Sequence, residues 1–525
     1  MLLTSMGRGP KVALLAAVTL TFLLILHIIS PSAWRPTWRL PTTTAQTGDG
    51  TSSPPPAAAL QQHDHTSGKF NPQQASQQAW SHYDPNDSTA DSSSPRPKGS
   101  HANKPKPKPK PDLAPCQKLE GGEDVLVVMR TGATEIKDKL PVHFNTTFKC
   151  YPNYIIFSDY EEDFHGHQVH DVLKYIPDEI KTTNVDFQHY MHVQEVGRQG
   201  LDKAELSGQV SEESGPVGKL DNAGWNLDKW KFLPMANETL ARHPDKNWFV
   251  FVEPDSYLVW SSFLQWIPKL DPSKPLYVGS EVMIGGDIFA HGGSVFLLSK
   301  PAMEKLAKVY NHQTAELHEY TAGHWAGDCV LGKTLHDAGV DLTWGFPMFQ
   351  GGNPSISMDW DDGKGPRKLW CTPAMSYHHF IPSEIDEFWH FEQRWIEEQK
   401  RNSHVKSRAA FSLWPKDMSG VLHHRDTFKQ FVLPKISSEL KNWDNTPDWI
   451  HPDTMGMKMK DCRELCRANS TCQAYSTSEL GCSIGPKPYT GRKKKGVSSG
   501  WLMERIEAWQ GTIDRCSGQD RWVTD

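Results

Sequence analysis

The sequence predicts an α/β domain followed by a small disulfide-rich α+β module, with a long polar lead in front of both. Three observations predict it. Between residues 116 and 440, short apolar, β-branched or aromatic runs alternate with helical or loop sequence, as in a sheet covered on both faces. The chain's 525 residues exceed what one core usually holds. All nine cysteines fall after residue 115, and four of them crowd between 462 and 482. The net charge of -6 supplies no basic field, so composition excludes a nucleic-acid partner.

Taken from the start, residues 1–11 read as a short cytosolic tail and residues 12–29 as a membrane span, an 18-residue run whose polar members are Thr19, Thr21 and His27. Such a run approaches the length a helix needs to cross roughly 30 Å of hydrocarbon, and it exceeds the ~7–15 apolar residues of a cleaved signal peptide. Arg8 and Lys11 before the span face Arg35 and Arg39 after it, so the flanking charges do not orient it. The cysteines and the sequons at Asn145, Asn237 and Asn469 do, because disulfides and N-glycans both belong to the secretory lumen. The expectation is a single-pass type II signal anchor with the large C-terminal part lumenal. Residues 30–115 are rich in Pro, Ser, Thr, Gln and Lys and poor in large apolar residues, hence a disordered stem. Within it the Lys-Pro alternation from Lys104 to Pro111 favours an extended polyproline II spacer.

Five strands are expected in the α/β domain (116–440), at residues 124–129, 154–157, 248–252, 276–278 and 294–298. Ligands of open α/β sheets sit beyond the carboxyl ends of strands, which directs attention to the residues after each run. The most informative run is Trp248 to Val252, which ends in Glu253-Pro254-Asp255. The two carboxylates fall on one face by the strand period and are in position to hold a hard divalent cation. Taken alone, the segment also fits a strand closed by an acidic turn. Carboxylates side by side on one strand cannot flank a glycosidic bond, so a glycosidase is set aside.

Beyond this domain, residues 441–525 space their cysteines as Cys462-x3-Cys466-x5-Cys472-x9-Cys482, with Cys516 behind. That density reads as a disulfide-stapled module, since zinc sites usually show tighter C-x2-C pairs.

Several segments resemble, in order, the fringe-like β1,3-glycosyltransferase family, most closely its core 1 β1,3-galactosyltransferases. The run Trp248–Val252 with Glu253-Pro254-Asp255-Ser256-Tyr257-Leu258 resembles that family's strand and Asp-Asp-Asp-Thr-Tyr-Val signature. Leu227-Asp228-Lys229-Trp230-Lys231-Phe232 looks like its lysine-bearing helix. Asp271-Pro-Ser-Lys-Pro-Leu-Tyr277-Val-Gly279 is similar to its Asp-Pro-x-x-Pro-Leu-Tyr-x-Gly, and Gly292-Gly293-Ser294-Val295-Phe296-Leu297-Leu298-Ser299 to its Gly-Gly-Ala-Gly-Tyr-Val-Leu-Ser. Gly327-Asp328-Cys329-Val330-Leu331-Gly332 resembles Glu-Asp-Val-x-x-Gly, and the likeness covers residues 120–400. It departs at Pro254, which replaces an acid, and at Glu253, which is one methylene longer than Asp.

The resemblance implies a Rossmann-like (GT-A type) domain that uses Mn2+ and a UDP-sugar and inverts the anomeric centre, in the Golgi membrane. The implied donor sugar is galactose, with a β1,3 linkage to an N-acetylgalactosamine-type or other glycan or glycoprotein acceptor. Asp255 matches the metal ligand, and Asp328 matches the general base. Asp328 also fits the N-terminal end of a helix from Cys329 to His336, where an acidic residue is favourable. Glu253 and Lys231 are expected on the nucleotide side. A second metal ligand is expected from His378 or His379, only one of which can enter the pocket if the segment is extended. Arg130, Thr131 and Asp159 end two strands where the fold holds the nucleotide. Gly292 and Gly293 lack a Cβ and let an acceptor approach, and Trp325 can stack on a sugar face.

His423-His424 has the look of a second His pair but not the position, and His165-Gly-His167-x-x-His170 reads as a loop. The tail resembles PAN/Apple modules, which implies the pairs Cys466–Cys472 and Cys462–Cys482 and a carbohydrate or protein ligand. The altered triplet keeps a second function open, that of a catalytically degenerate sugar-binding or adhesion protein acting through the Apple-like module.

Overall fold

The computed structural model describes residues 113–208, 223–364, 367–402, 420–436, 439–445, 447, 449–516 and 521–522. Eight strands form one mixed sheet: β1 (Val125–Arg130), β2 (Tyr154–Ser158), β3 (Glu162–Phe164), β4 (His167–Asp171), β5 (Trp248–Val252), β6 (Tyr277–Gly279), β7 (Phe296–Ser299) and β8 (Leu342–Trp344). Their order is β8-β6-β7-β5-β1-β2-β4-β3. β1 runs parallel to β2 and β5, whereas β7 is antiparallel to both β5 and β6. The carboxyl ends of β1, β2 and β5 and the amino end of β7 therefore meet along one edge.

Side-chain alternation explains why this sheet is central. Val125, Val127, Met129, Val250 and Val252 face a core built on Trp260, Trp266 and Phe388, while Leu126, Val128, Phe249 and Phe251 face another that contains Trp230, Leu233 and Leu306. Neither face meets water, so both alternating sets must be apolar, and each fully buried side chain contributes about 1.5–3 kcal/mol. The five expected strands are present, each within two residues of its expected bounds. The largest shift is in the last one, because Gly292–Ser294 is a single 3-10 turn and Val295 takes a left-handed φ of 67° before β7 begins. β3, β4 and β8 escape the pattern because they are only three to five residues long and alternate with polar or exposed positions. The expected loop around His165 is instead the β3–β4 hairpin, with His167 stacked on Phe144 at 4.1 Å between ring centroids.

The C-terminal module is a five-stranded antiparallel sheet: β9 (Glu439–Asp444), β10 (Trp449–Ile450), β11 (Ala474–Ser478), β12 (Gly481–Gly485) and β13 (Arg492–Trp501), in the order β9-β13-β11-β12-β10. A helix, Met459–Ala468, is stapled to it by Cys462–Cys482 and closed at its end by Cys466–Cys472, the pairing the resemblance implies. The module does not stand apart. Trp501, Ile506 and Ile513 are buried in the same core as Val250, and Cys371–Cys516 ties the two together.

The expected tail, span and stem lie outside the described residues, except for the stem's last three. Among the described residues no helix is long and apolar enough to cross a membrane. On that finding the expectation of a single-pass type II Golgi membrane protein, with a membrane partner, is corrected.

Candidate active site

At the shared strand edge, β1 delivers Arg130 and β5 delivers Glu253-Pro254-Asp255. The Arg130 guanidinium bonds both Asp228 and Glu253 and lies 4.1 Å from the centroid of the Phe232 ring. Burial opposes ionisation of Glu253, but Arg130 and His378 together outweigh it and hold the carboxyl at about 2. The Pro254 carbonyl accepts from Nε2 of His143 at 2.8 Å, while Nδ1 of that ring takes the Thr147 hydroxyl at 2.7 Å. Burial pushes His143 down to about 4, so this support is neutral. The Ser256 hydroxyl donates to the Gly293 carbonyl at 2.7 Å and fixes the turn against the diglycine.

Asp255 is the centre of a charged group. Its Oδ1 lies 3.3 Å from His378 Nε2 and its Oδ2 3.2 Å from Lys139 Nζ. Burial works against a charged His378, yet Asp255 and Glu253 push it up to about 9. Burial and the neighbouring His378 push His379 down to about 4, leaving it neutral. Both imidazoles line the cavity and stack at 3.8 Å between centroids. The premise of an extended segment fails at His379, whose φ of 60° is left-handed, so the strict alternation that would separate the rings does not apply. One donor atom from each of Asp255, His378 and His379 lies within 4.8 Å of the others, and Nδ1 of His378 is buried without a hydrogen-bond partner among the described residues. A carboxylate with two imidazoles is a donor set that suits a divalent first-row cation such as Mn2+.

The diglycine connects this group to Asp328. A Cβ on Gly293 would lie 2.1 Å from the His378 ring, and one on Gly292 3.2 Å from Glu253 and 3.4 Å from Arg130. The Gly292 N–H donates to Asp328 Oδ2 at 2.9 Å, and the Cys329 N–H to Oδ1 at 2.9 Å. Asp328 opens the helix Gly327–Asp337, and burial, only partly offset by these donors and Arg130, pushes its carboxyl up to about 6.

These side chains surround a cavity of about 350 Å³. Arg130, Lys231, Glu253, Asp255, Gly293, Trp325, Asp328, His378 and His379 line it, whereas Thr131, Asp159 and Gly292 sit behind its wall. Lys231 donates to the Thr131 carbonyl at 2.9 Å and pairs with Asp159 at 3.3 Å, so the two hidden residues hold the lysine. Trp325 is 54% exposed and, with Val282 and Ile284, forms an apolar wall beside the charged one. Lys139, Asp228 and His291 also line the cavity and were not foreseen. Lys139 and His291 carry no local signal, and Asp228 could have been found in the quoted lysine-bearing segment. His424 belongs to the core, where Nε2 meets the Pro347 carbonyl at 2.9 Å and Nδ1 the Tyr377 hydroxyl at 2.8 Å.

Residues 438–486 match the PAN-like domain family, and the C-terminal module is therefore PAN-like. A search of curated proteins finds no match. Among solved structures, the chain is similar to a glycosyltransferase involved in the glycosylation of the major capsid of PBCV-1. That likeness has 14% identity and a TM-score of 0.22, and covers 50% of this chain and 98% of the other. At that level the reading of the cavity rests on its own geometry.

Proposed function

We propose that the chain is an inverting, metal-dependent glycosyltransferase that takes a UDP-sugar as donor. The observation that carries this is the arrangement around the diglycine. One glycine holds a carboxylate whose pKa lies near 6, and the other makes room for an imidazole of a separate Asp-His-His group in the same cavity. In this reading Asp328 takes the proton of an acceptor hydroxyl as its oxygen bonds to the anomeric carbon, and the bond from that carbon to the UDP oxygen breaks with its electron pair leaving on UDP. A base with a pKa of about 6 is ionised at neutral pH and still basic enough to work. Asp255, His378 and His379 would hold Mn2+, which when bound supplies positive charge to the departing diphosphate. Arg130 and Lys231, each already paired with carboxylates, offer hydrogen-bond donors on the nucleotide side, and Trp325 offers a flat apolar face to a sugar. The resemblance to core 1 β1,3-galactosyltransferases makes UDP-galactose the donor of choice, with a β1,3 linkage to an N-acetylgalactosamine-type or other glycan acceptor.

One observation favours a second reading. Lys139 sits on Asp255 and gives that carboxylate a cation without any metal, as a sugar-binding protein that has lost catalysis would allow. A panel of UDP-sugars with Mn2+ or EDTA, run on wild type and Asp255→Ala, separates the two. Turnover of one donor, lost with EDTA and in the variant, is expected. No turnover and no Mn2+-dependent UDP binding would favour the binding protein.

A further inference from the structure

The backbone of the His378-His379 pair is held from the PAN-like module. Arg492 opens β13, and its Nη2 donates to the His379 carbonyl at 2.8 Å. The same guanidinium grips Glu384 at two points, Nε to Oε1 and Nη2 to Oε2, both at 2.7 Å. Asn353, fully buried, donates to the His379 carbonyl at 3.1 Å and to Glu384 Oε2 at 2.8 Å. The Ile381 N–H donates to that same Oε2 at 3.1 Å, and the Phe380 N–H to the Asp255 carbonyl at 2.9 Å. The His379 carbonyl and the two N–H groups that follow it are thereby each tied to a neighbour.

We propose that Arg492 is a positioning residue for the candidate metal centre, fixing through Glu384 and Asn353 the left-handed turn at His379 that sets both imidazoles in the cavity. The inference rests on the glycosyltransferase reading in taking His378 and His379 as ligands. An extended dipeptide would send the two side chains to opposite faces. A left-handed histidine is uncommon, and such a conformation persists where its surroundings over-determine it. Arg492 supplies the part of those surroundings that comes from outside the α/β domain, 113 residues along the chain from His379.

The placement of Arg492 is itself specified. Gly491 has a φ of 76°, and a Cβ there would lie 1.9 Å from the Asp444 carbonyl oxygen. The Gly491 N–H and the Thr490 hydroxyl donate to the Ser355 carbonyl at 2.9 and 3.2 Å, and the Ser355 N–H donates to Asn353 Oδ1 at 2.7 Å. The loop before β13 is thus keyed to the turn that carries Asn353. Lysine could keep the charge toward Glu384 but has no fork to hold that carboxylate and the His379 carbonyl together.

The test is Mn2+ titration of the full chain, followed by the electron paramagnetic resonance of the free ion, with thermal unfolding alongside. Wild type, Arg492→Lys, Arg492→Met, Asp255→Ala and the module-surface control Lys494→Met are compared. The expected result is loss of binding in Asp255→Ala, a Kd weakened about 10–100-fold in Arg492→Lys with an unchanged melting midpoint, and no change in Lys494→Met. Should Arg492→Met fail to fold, Arg492→Lys decides. Wild-type binding with an unaltered Kd in Arg492→Lys would overturn the positioning role and leave the metal reading intact. No Mn2+ binding by wild type would overturn the metal reading and this role with it.

Discussion

The α/β domain and the PAN-like module are held together in different ways. The domain places its sheet between two apolar layers, and β1 and β5 contribute side chains to both. The module's own cluster is small, with four cysteines beside Tyr475, Ile484 and Leu502. Apolar burial is proportional to area, so a large layered core can tolerate many charged groups converging on one cavity, whereas a small sheet needs staples. The charge balance follows the same division. Asp255, Glu253, Asp328, Arg130 and Lys139 crowd the cavity of the domain, while the module commits Arg492 to holding the other partner's backbone.

The strongest way to break this contrast is at the cavity. Asp328→Asn is expected to lower kcat/KM by about 10²–10⁴, because the proton acceptor is gone while the shape remains. Its effect on stability is a balance of two opposed terms: relief of the buried charge, and loss of one acceptor for the Gly292 and Cys329 N–H groups. The folded pKa of about 6 is raised above the ordinary carboxylate value, so the contribution of this group to stability is present at low pH and is lost as pH rises through about 6. Asparagine removes that cost but leaves one of the two backbone N–H groups without an acceptor, so stability at neutral pH, read from the melting midpoint, is expected to move by no more than about 3 kcal/mol either way, and the pH dependence of stability near 6 is expected to disappear. An unchanged kcat/KM would make Asp328 a structural group rather than a base.

The two kinds of scaffold can be compared directly. Phe251 stacks on Phe296 at 4.6 Å between the central strands, and Phe251→Ala is expected to cost about 3–5 kcal/mol by denaturant titration. Replacing Cys462 and Cys482 by serine is expected to cost about 2–4 kcal/mol, with amide exchange rising in the helix Met459–Ala468 before it rises in β1 and β5. Simultaneous loss of protection in both would show that the module is inseparable from the sheet. The smallest effect is on pH. The acidic limb of kcat/KM should fall off near pH 6 through Asp328, and Asp328→Asn should flatten it.

Much of this was legible in the sequence, for identifiable reasons. β1, β2 and β5 are buried on both faces, and an apolar run of that length has few other uses. Glu253-Pro254-Asp255 announced itself as a strand breaking into acid, and the resemblance of the tail to PAN/Apple modules implied two of the disulfides. What stayed hidden is what long-range packing decides. Lys139 reaches Asp255 across 116 residues. His379 leaves the extended path at a φ of 60°, with its carbonyl held by Asn353 and Arg492, neither of which is near it in sequence. The diglycine pointed to a close approach, but the group that approaches Gly293 is the His378 ring.

The most direct test of the central claim is the anomeric configuration of the product formed from an α-linked UDP-sugar, read by nuclear magnetic resonance as the reaction proceeds. A single carboxylate base working opposite the departing UDP predicts a β-glycoside. An α-glycoside, or hydrolysis with no transfer to any glycan, would contradict the role given to Asp328.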